Sequence, residues 1–260
     1  YSTIVGGYLM IDVHCHLEDE AFEGDVDEVV ERAKRAGVKA IIISPIHPDD
    51  VDRAFMLKKL FSNYICVTIG LDPTILDEEV FDKQRKRIME LRNEIVGIGE
   101  VGLDYYYVRN RDARRVQEDY FRKWISLARS LRLPLVVHSR SAGKYAIEIV
   151  VEEGYDRVLL HAFDGSSGWA LKGASYGMYF SIPPSVWFSR QKQNIVKVLP
   201  LESLMLESDS PVLSPIRNTR NEPANILYSA RKISEIKRVS FEKVIEVTST
   251  NAMEFFGIKL

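Results

Sequence analysis

Four of the five histidines stand where a short apolar run stops: His14 and His16, His138, and His161. Two carboxylates hold matching places, Glu100 in Gly-Ile-Gly-Glu-Val-Gly-Leu-Asp and Asp209 in Leu-Glu-Ser-Asp-Ser-Pro. His14 and His16 are two apart on an extended segment, so their rings point the same way and can grip one cation, with Cys15 directed oppositely into packing. Imidazoles and carboxylates without thiolate suit borderline or hard divalent ions such as zinc, manganese, nickel or magnesium. Six donors exceed what one tetrahedral ion uses. They imply two ions bridged by Glu100, the hydrolytic arrangement in which metals lie about 3.5 to 4 Å apart. Any one histidine at a strand end reads as a hydrogen-bonded structural residue; it is the co-location of all six groups that points to a metal site.

The elements that must position these groups follow from periodicity. Short β-branched runs lie at Met10 to His14, Ala40 to Ile43, Cys66 to Ile69, Ile95 to Ile98, Leu135 to His138, Val158 to His161, Met178 to Ser181 and Leu204 to Leu206. Between them come helical patterns such as Val26, Val29, Val30, Ala33, Ala36 and Tyr120, Trp124, Leu127, Ala128, Leu131, which Gly37 and Pro134 should terminate. Eight near-continuous apolar strands, each followed by a helix, predict an α/β fold with an all-parallel sheet covered on its outer face. A closed eight-stranded barrel fits that count and length best, with a doubly wound open sheet as the competitor. In a barrel the carboxyl ends of all strands converge on one rim, so the six groups would meet in one cup. Ser240 to Phe256 reads as an extra C-terminal helix, capped by Ser240 and stopped at Gly257. Residues 10–260 form one expected domain, and residues 1–9 an extension or remnant ahead of Met10.

Composition sets outer bounds. With 35 Lys+Arg against 37 Asp+Glu, the formal net charge of −2 excludes an evenly basic nucleic-acid-coating protein. No apolar run approaches the roughly 20 residues of a membrane span. No Lys or Arg precedes Arg32 to make the positive region of a signal peptide. Cys15 and Cys66 sit in apolar surroundings and read as reduced buried thiols, which places the protein in a reducing compartment, the cytoplasm.

Six segments together resemble the TatD family of metal-dependent hydrolases: Ile-Asp-Val-His-Cys-His-Leu, Val-Gly-Ile-Gly-Glu-Val-Gly-Leu-Asp-Tyr-Tyr, Leu-Pro-Leu-Val-Val-His-Ser-Arg, Leu-Leu-His-Ala-Phe-Asp-Gly-Ser, Leu-Glu-Ser-Asp-Ser-Pro and Arg-Asn-Glu-Pro. They occur in family order from Met10 to the region of Asn251. The resemblance implies a single (β/α)8 TIM barrel of the amidohydrolase type, two divalent metals and hydrolysis of phosphodiesters, usually as a deoxyribonuclease. It makes His14 and His16 ligands of one metal, His138 and His161 ligands of the other, Glu100 the bridge, and Asp209 a ligand that also handles protons. The sequence departs from the family pattern at Ser208 (usually Thr), Ser141 (often Asp) and Glu18 (usually Asp). Asn218, Thr219 and Arg220 stand where the family has a basic Gly-Lys-Arg.

The expected chemistry is attack by a metal-bridging hydroxide, with Asp209 accepting its proton and delivering it to the leaving group. Arg140 is placed to reach a phosphate with a bidentate fork, or to pair with a neighbouring acid. Asp104, Glu207, Arg220 and Glu222 either orient ligands or substrate, or form structural ion pairs. Tyr105, Tyr106 and Tyr107 should lie on the active rim, as should Trp187 and Phe188, stacking on unpaired bases or packing loops. His47, in a proline-flanked segment, reads as a loop residue rather than a substrate contact. The leading expectation is a nuclease acting on DNA or RNA, exonuclease-like and preferring single-stranded ends, with no membrane and no obligate protein partner. Metal-dependent hydrolysis of a smaller ester, amide or organophosphate is the second reading. A metal-bound barrel that binds without turnover is the third.

Overall fold

A computed structural model describes residues 9–260 of the chain. The expected extension at 1–9 lies outside the described residues except for Leu9. Eight strands, β1 (Met10–Cys15), β2 (Val38–Ile43), β3 (Ile65–Ile69), β4 (Gly97–Asp104), β5 (Leu135–Arg140), β6 (Val158–Leu160), β7 (Tyr179–Ile182) and β8 (Leu204–Leu206), pair in chain order. Every pair is parallel. The intervening helices are α1 (Val26–Arg35), α2 (Val51–Leu60), α3 (Glu78–Leu91), α4 (Arg111–Leu131), α5 (Gly143–Glu153), α6 (Ser167–Ser175), α7 (Arg190–Val198) and α8 (Ile226–Lys237). A doubly wound sheet would reverse its strand order partway, and this one does not. The exits of β8 and β1 meet: the Asp209 amide donates to the His14 carbonyl at 2.9 Å, and the His16 amide to the Ser210 carbonyl at 2.8 Å. The result is a nearly closed barrel with a ring of helices.

Both faces of the sheet are buried, which is why its strands read as near-continuous apolar runs. Ile11, Val13, Ala40, Ile42, Val136, Leu159 and Met205 fill the interior, while Ile41, Ile43, Val67, Val137 and Leu160 pack outward against helices. The last helix, α9 (Phe241–Phe256), is the extra C-terminal element. Ser240 caps it by accepting the Lys243 amide at 3.1 Å, and Gly257 ends it at φ 67°. It lies across the amino-terminal ends of β1 and β8, where the Ser249 hydroxyl donates to the Leu9 carbonyl and the Asn251 amide to the Leu204 carbonyl. Ala252, Phe255 and Phe256 join the interior cluster and close that end. The opposite end, where the strands exit, stays open. Among the described residues no helix is long and apolar enough to cross a membrane.

Most strands differ from the sequence expectation by one or two residues at one end or both, and two boundaries differ for reasons visible in the backbone. The helix α4 stops at Leu131, three residues before Pro134, because Arg132 turns left-handed at φ 57° and its amide returns to Ala128. The fourth strand does not end at Ile98: after a slip between Ile98 and Val101 it resumes its pairing with β5 as far as Asp104. Glu100 therefore sits within the strand, at the slip, rather than after it. Glycine permits the close approach on either side. A Cβ at Gly70 would lie 2.0 Å from the Glu100 carbonyl oxygen, and one at Gly102, where φ is +141°, would lie 2.2 Å from that of His138.

Candidate metal centre

The cup is built first by β1. The Asp12 carboxylate accepts the Ser208 amide at 2.8 Å and the His14 amide at 3.3 Å, and the register with β2 slips between Asp12 and Cys15. Cys15 is buried, with its sulfur 3.7 Å from the Ile42 carbonyl, while both flanking imidazoles reach the cup. His14 Nε2 lies 3.8 Å from Glu100 Oε2 and 3.6 Å from Asp209 Oδ1. His16 Nε2 lies 3.7 Å from Glu100 Oε1 and 3.6 Å from the same Asp209 oxygen. From β6, His161 turns Nε2 onto Glu100 Oε2 and stacks on His14 with ring centroids 4.0 Å apart. From β5, His138 brings Nδ1 within 3.2 Å of Glu100. Glu100 is thus surrounded by four imidazoles. Two groups of donors lie within 4.8 Å of one another, His14 with His16 and Asp209, and His14 with Glu100 and His161. His14 belongs to both groups, and His138 stands beside Glu100 without joining either.

Several observations say that this arrangement fits two divalent cations. Both ring nitrogens of His14 are buried without a hydrogen-bond partner, a cost of about 1–3 kcal/mol for an unsatisfied group unless a ligand is meant to take it. Gaps of 3.6 to 3.8 Å are too long for hydrogen bonds, yet suit donors gripping one ion from different sides. Proton affinities tell the same story. Burial, with His161 beside it, holds His14 well below the usual imidazole range. Burial also works against a proton on His161, His16 and His138, but their carboxylate partners prevail: Glu100 raises His161, Asp209 and Glu18 raise His16, and Asp104 with Glu100 raises His138 to about 9. Burial would raise Glu100, yet His161 and His138 hold it well below the usual carboxylate range. Protons here do the neutralising that a cation would do.

The far nitrogen of two imidazoles hydrogen-bonds a carboxylate, and that of a third, His161, approaches one without a hydrogen bond. His138 Nε2 is 2.9 Å from Asp104 Oδ2, His161 Nδ1 is 3.4 Å from Glu207 Oε2, and His16 Nδ1 is 3.3 Å from Glu18 Oε1. Such partners set the tautomer and leave the other nitrogen's lone pair for a metal. The loops that follow the strands are pinned by carboxylates as well. Glu207 Oε1 accepts the Ala162 amide at 2.6 Å, and Asp164 accepts that of Ser141 at 2.6 Å. Ala162, Ser141 and Asp209 itself adopt positive φ of 41°, 55° and 52°, a backbone strain held at the rim.

The cup encloses about 580 Å³ and is lined by His16, Glu18, Glu100, His138, Arg140, His161, Lys192 and Asp209 among others. Arg140 makes no ion pair with a carboxylate among the described residues; its guanidinium lies over the Tyr106 ring, 4.1 Å from the centroid. His47 and Lys192 also line the cup, although neither stood in a recognisable motif. The Lys192 ammonium donates to the carbonyls of Ala162 at 2.6 Å and Phe163 at 3.2 Å, bracing the loop after His161. Three residues considered for substrate contact are engaged elsewhere. Arg220 pairs with Asp25 at 2.6 Å, Glu222 pairs with Arg32 at 2.8 Å, and the Tyr105 hydroxyl is buried against Glu118. Trp187 and Phe188 are half-exposed but do not line the cup; Trp187 packs on Tyr228 and Lys232, Phe188 on Arg217.

Residues 11–257 match the family profile of TatD related DNases. Human deoxyribonuclease TATDN3 is 39% identical over 264 residues, which span 96% of this chain and 95% of the relative. Among solved structures, a TatD-family hydrolase from Entamoeba histolytica superposes with a TM-score of 0.85 at 24% identity, covering 96% of this chain and 98% of the other. YJJV, a TatD homolog from Escherichia coli K12, gives 0.88 at 22% identity with the same coverage. Those two likenesses establish the shared barrel. The sequence match along nearly the whole chain goes further, and with two clusters of metal-chelating groups at the open end of the barrel this chain belongs to the TatD family of metal-dependent hydrolases.

Proposed function

We propose that the protein is a two-metal phosphodiesterase that degrades nucleic acid from single-stranded ends. The observation that carries this reading is Arg140, a guanidinium at the lip of a carboxylate–imidazole cup that makes no ion pair with a carboxylate among the described residues. The named activity of human TATDN3 supports the substrate class. Charge supports the ions. The lining carries Glu18, Asp19, Asp50, Glu100, Asp164 and Asp209 against Arg140, Lys192 and the protons held by His16, His138 and His161, and two divalent cations would take over the neutralising done by those protons.

In this reading His14, His16 and Asp209 would hold one ion, His138 and His161 the other, and the Glu100 carboxylate would serve both. Such ions acidify a water and neutralise charge on phosphoryl oxygens. The remaining work falls to the chain's own side chains. Asp209 is held at the seam by the hydrogen bond its backbone amide donates to the His14 carbonyl; its carboxylate faces the cup, where it takes the proton of the attacking water and returns it to the leaving oxygen. Arg140 forks onto a non-bridging oxygen and fixes the phosphorus over the cup. Asp104 and Glu18 keep His138 and His16 in the required tautomer, and Glu207 faces the Nδ1 of His161. Free thiols at Cys15 and Cys66 suit the cytoplasm as its location. The test is metal add-back to chelated protein, assayed in parallel on single-stranded DNA, RNA, a chromogenic phosphodiester and a carboxylic ester. Metal-restored turnover of nucleic acid supports the proposal; turnover of the carboxylic ester alone overturns it.

A further inference from the structure

We infer that Tyr107, together with the Arg140 guanidinium laid over Tyr106, forms a subsite beside the cup for a nucleobase of a single strand; this rests on the phosphodiesterase reading above. The three tyrosines after β4 have different surroundings. Tyr105 turns inward and is 7% exposed, whereas Tyr106 and Tyr107 are 46% and 64% exposed. The two outer rings meet edge to face, with centroids 5.0 Å apart at 87°. Arg140 lies 4.1 Å from the Tyr106 centroid and 5.0 Å from that of Tyr107, and the same side chain lines the cup. One guanidinium therefore touches both the place for a phosphate and the place for a base.

Exposed rings on a loose loop would mean little, but this loop is fixed. The Tyr107 amide donates to Asp104 Oδ1 at 2.9 Å, and Arg114 donates to the carbonyls of Val108 at 2.8 Å and Tyr105 at 3.0 Å. The other oxygen of Asp104 holds His138 at 2.9 Å, so a single carboxylate sets the position of the aromatic platform relative to the cup. A rigid open ring loses little entropy on binding and offers a flat face. Every base has a π-face, so such a platform is indifferent to sequence. A base inside a duplex has both faces covered by its neighbours. Only an unpaired or frayed nucleotide can lie on Tyr107 while its phosphate lies under Arg140, which gives the preference for single-stranded ends a structural origin.

The test uses the metal-loaded protein, Tyr107→Leu and Tyr107→Trp, an ordinary single strand, and the same strand with abasic residues at its three terminal positions on either end. Stacking on one aromatic is worth about 1–3 kcal/mol per base, so Tyr107→Leu should raise KM on the ordinary strand about 5- to 160-fold with little change in kcat. On the abasic strand it should match wild type, and Tyr107→Trp should keep the wild-type KM on both. A 2-aminopurine at the strand end should be quenched by the wild type and not by Tyr107→Leu. An equal KM rise on both strands, or an unchanged KM on the ordinary strand, overturns the subsite alone. A wild-type protein that cleaves neither strand overturns the nuclease reading and the subsite with it.

Discussion

Asp209 and His138 carry the sharpest consequences for single side chains. Asp209 lies within 3.6 Å of two imidazoles and has the cup in front of it, so its carboxylate can move a proton as well as hold an ion. Asp209→Asn should keep the fold and most of the metal while turnover falls about 100-fold or more, the scale for removing a positioned acid or base. Near-wild-type turnover in that variant would make Asp209 a structural carboxylate. His138 gives a pH signature. Burial lowers its proton affinity, but Asp104 and Glu100 outweigh burial and bring the folded-state pKa to about 9, above the roughly 6.5 of an unfolded histidine. A raised histidine pKa stabilises the metal-free fold in full below pH 6.5, and that contribution disappears as pH climbs through about 9. Thermal unfolding of metal-free wild type and His138→Gln between pH 6 and 9.5 should show the wild-type advantage shrinking across that window. A constant or growing advantage would contradict the assignment of the proton to this pair.

At the scale of elements, α9 and the cup sit at opposite ends of the barrel, and their contributions should separate. Phe255 is 6% exposed and packs among the interior residues at the closed end. Phe255→Ala should cost about 3–5 kcal/mol of stability, as for other buried phenylalanines, while metal affinity at the open end stays unchanged. Denaturant unfolding and metal titration of the same variant check both halves; a loss of metal affinity that matches the loss of stability would mean that the two ends are coupled. The elements themselves were largely legible in the sequence, because strands buried on both faces must be near-continuous apolar runs and four histidines stand at or beside their ends. The path of β4 was not. Gly-Ile-Gly-Glu-Val-Gly breaks an apolar run, and glycine reads as a stop, whereas here Gly99 and Gly102 admit a close approach to β5 in mid-strand. His47 and Lys192 reach the cup only through the fold: in sequence, Arg-Gln-Lys-Gln is a solvated helix start. Arg220 and Glu222 carry residue types as suggestive as those of the cup, yet both are paired with residues in or next to α1, Asp25 and Arg32. Charge type is visible in a sequence, whereas the partner that consumes the charge is not.

For the whole molecule the governing quantity is charge. The chain has net charge −2, which argues against a broad cationic face that grips a long duplex. We expect a shallow salt dependence, amounting to roughly two to four phosphate contacts, and a rate order of linear single strand over blunt duplex over closed circle. A salt series on those three substrates checks it, and rapid nicking of closed circles or a steep slope would show engagement along the duplex. Chelated protein should also fail to retain an oligonucleotide that the metal-loaded form binds, because removing the ions removes the charges that would hold the phosphoryl oxygens. The two-metal account itself meets its most direct test in a metal titration of chelated protein, followed at once by elemental analysis and by phosphodiester turnover. Binding should saturate close to two divalent ions per chain, with turnover appearing only as the second equivalent fills. Saturation at a single equivalent with full turnover would contradict it.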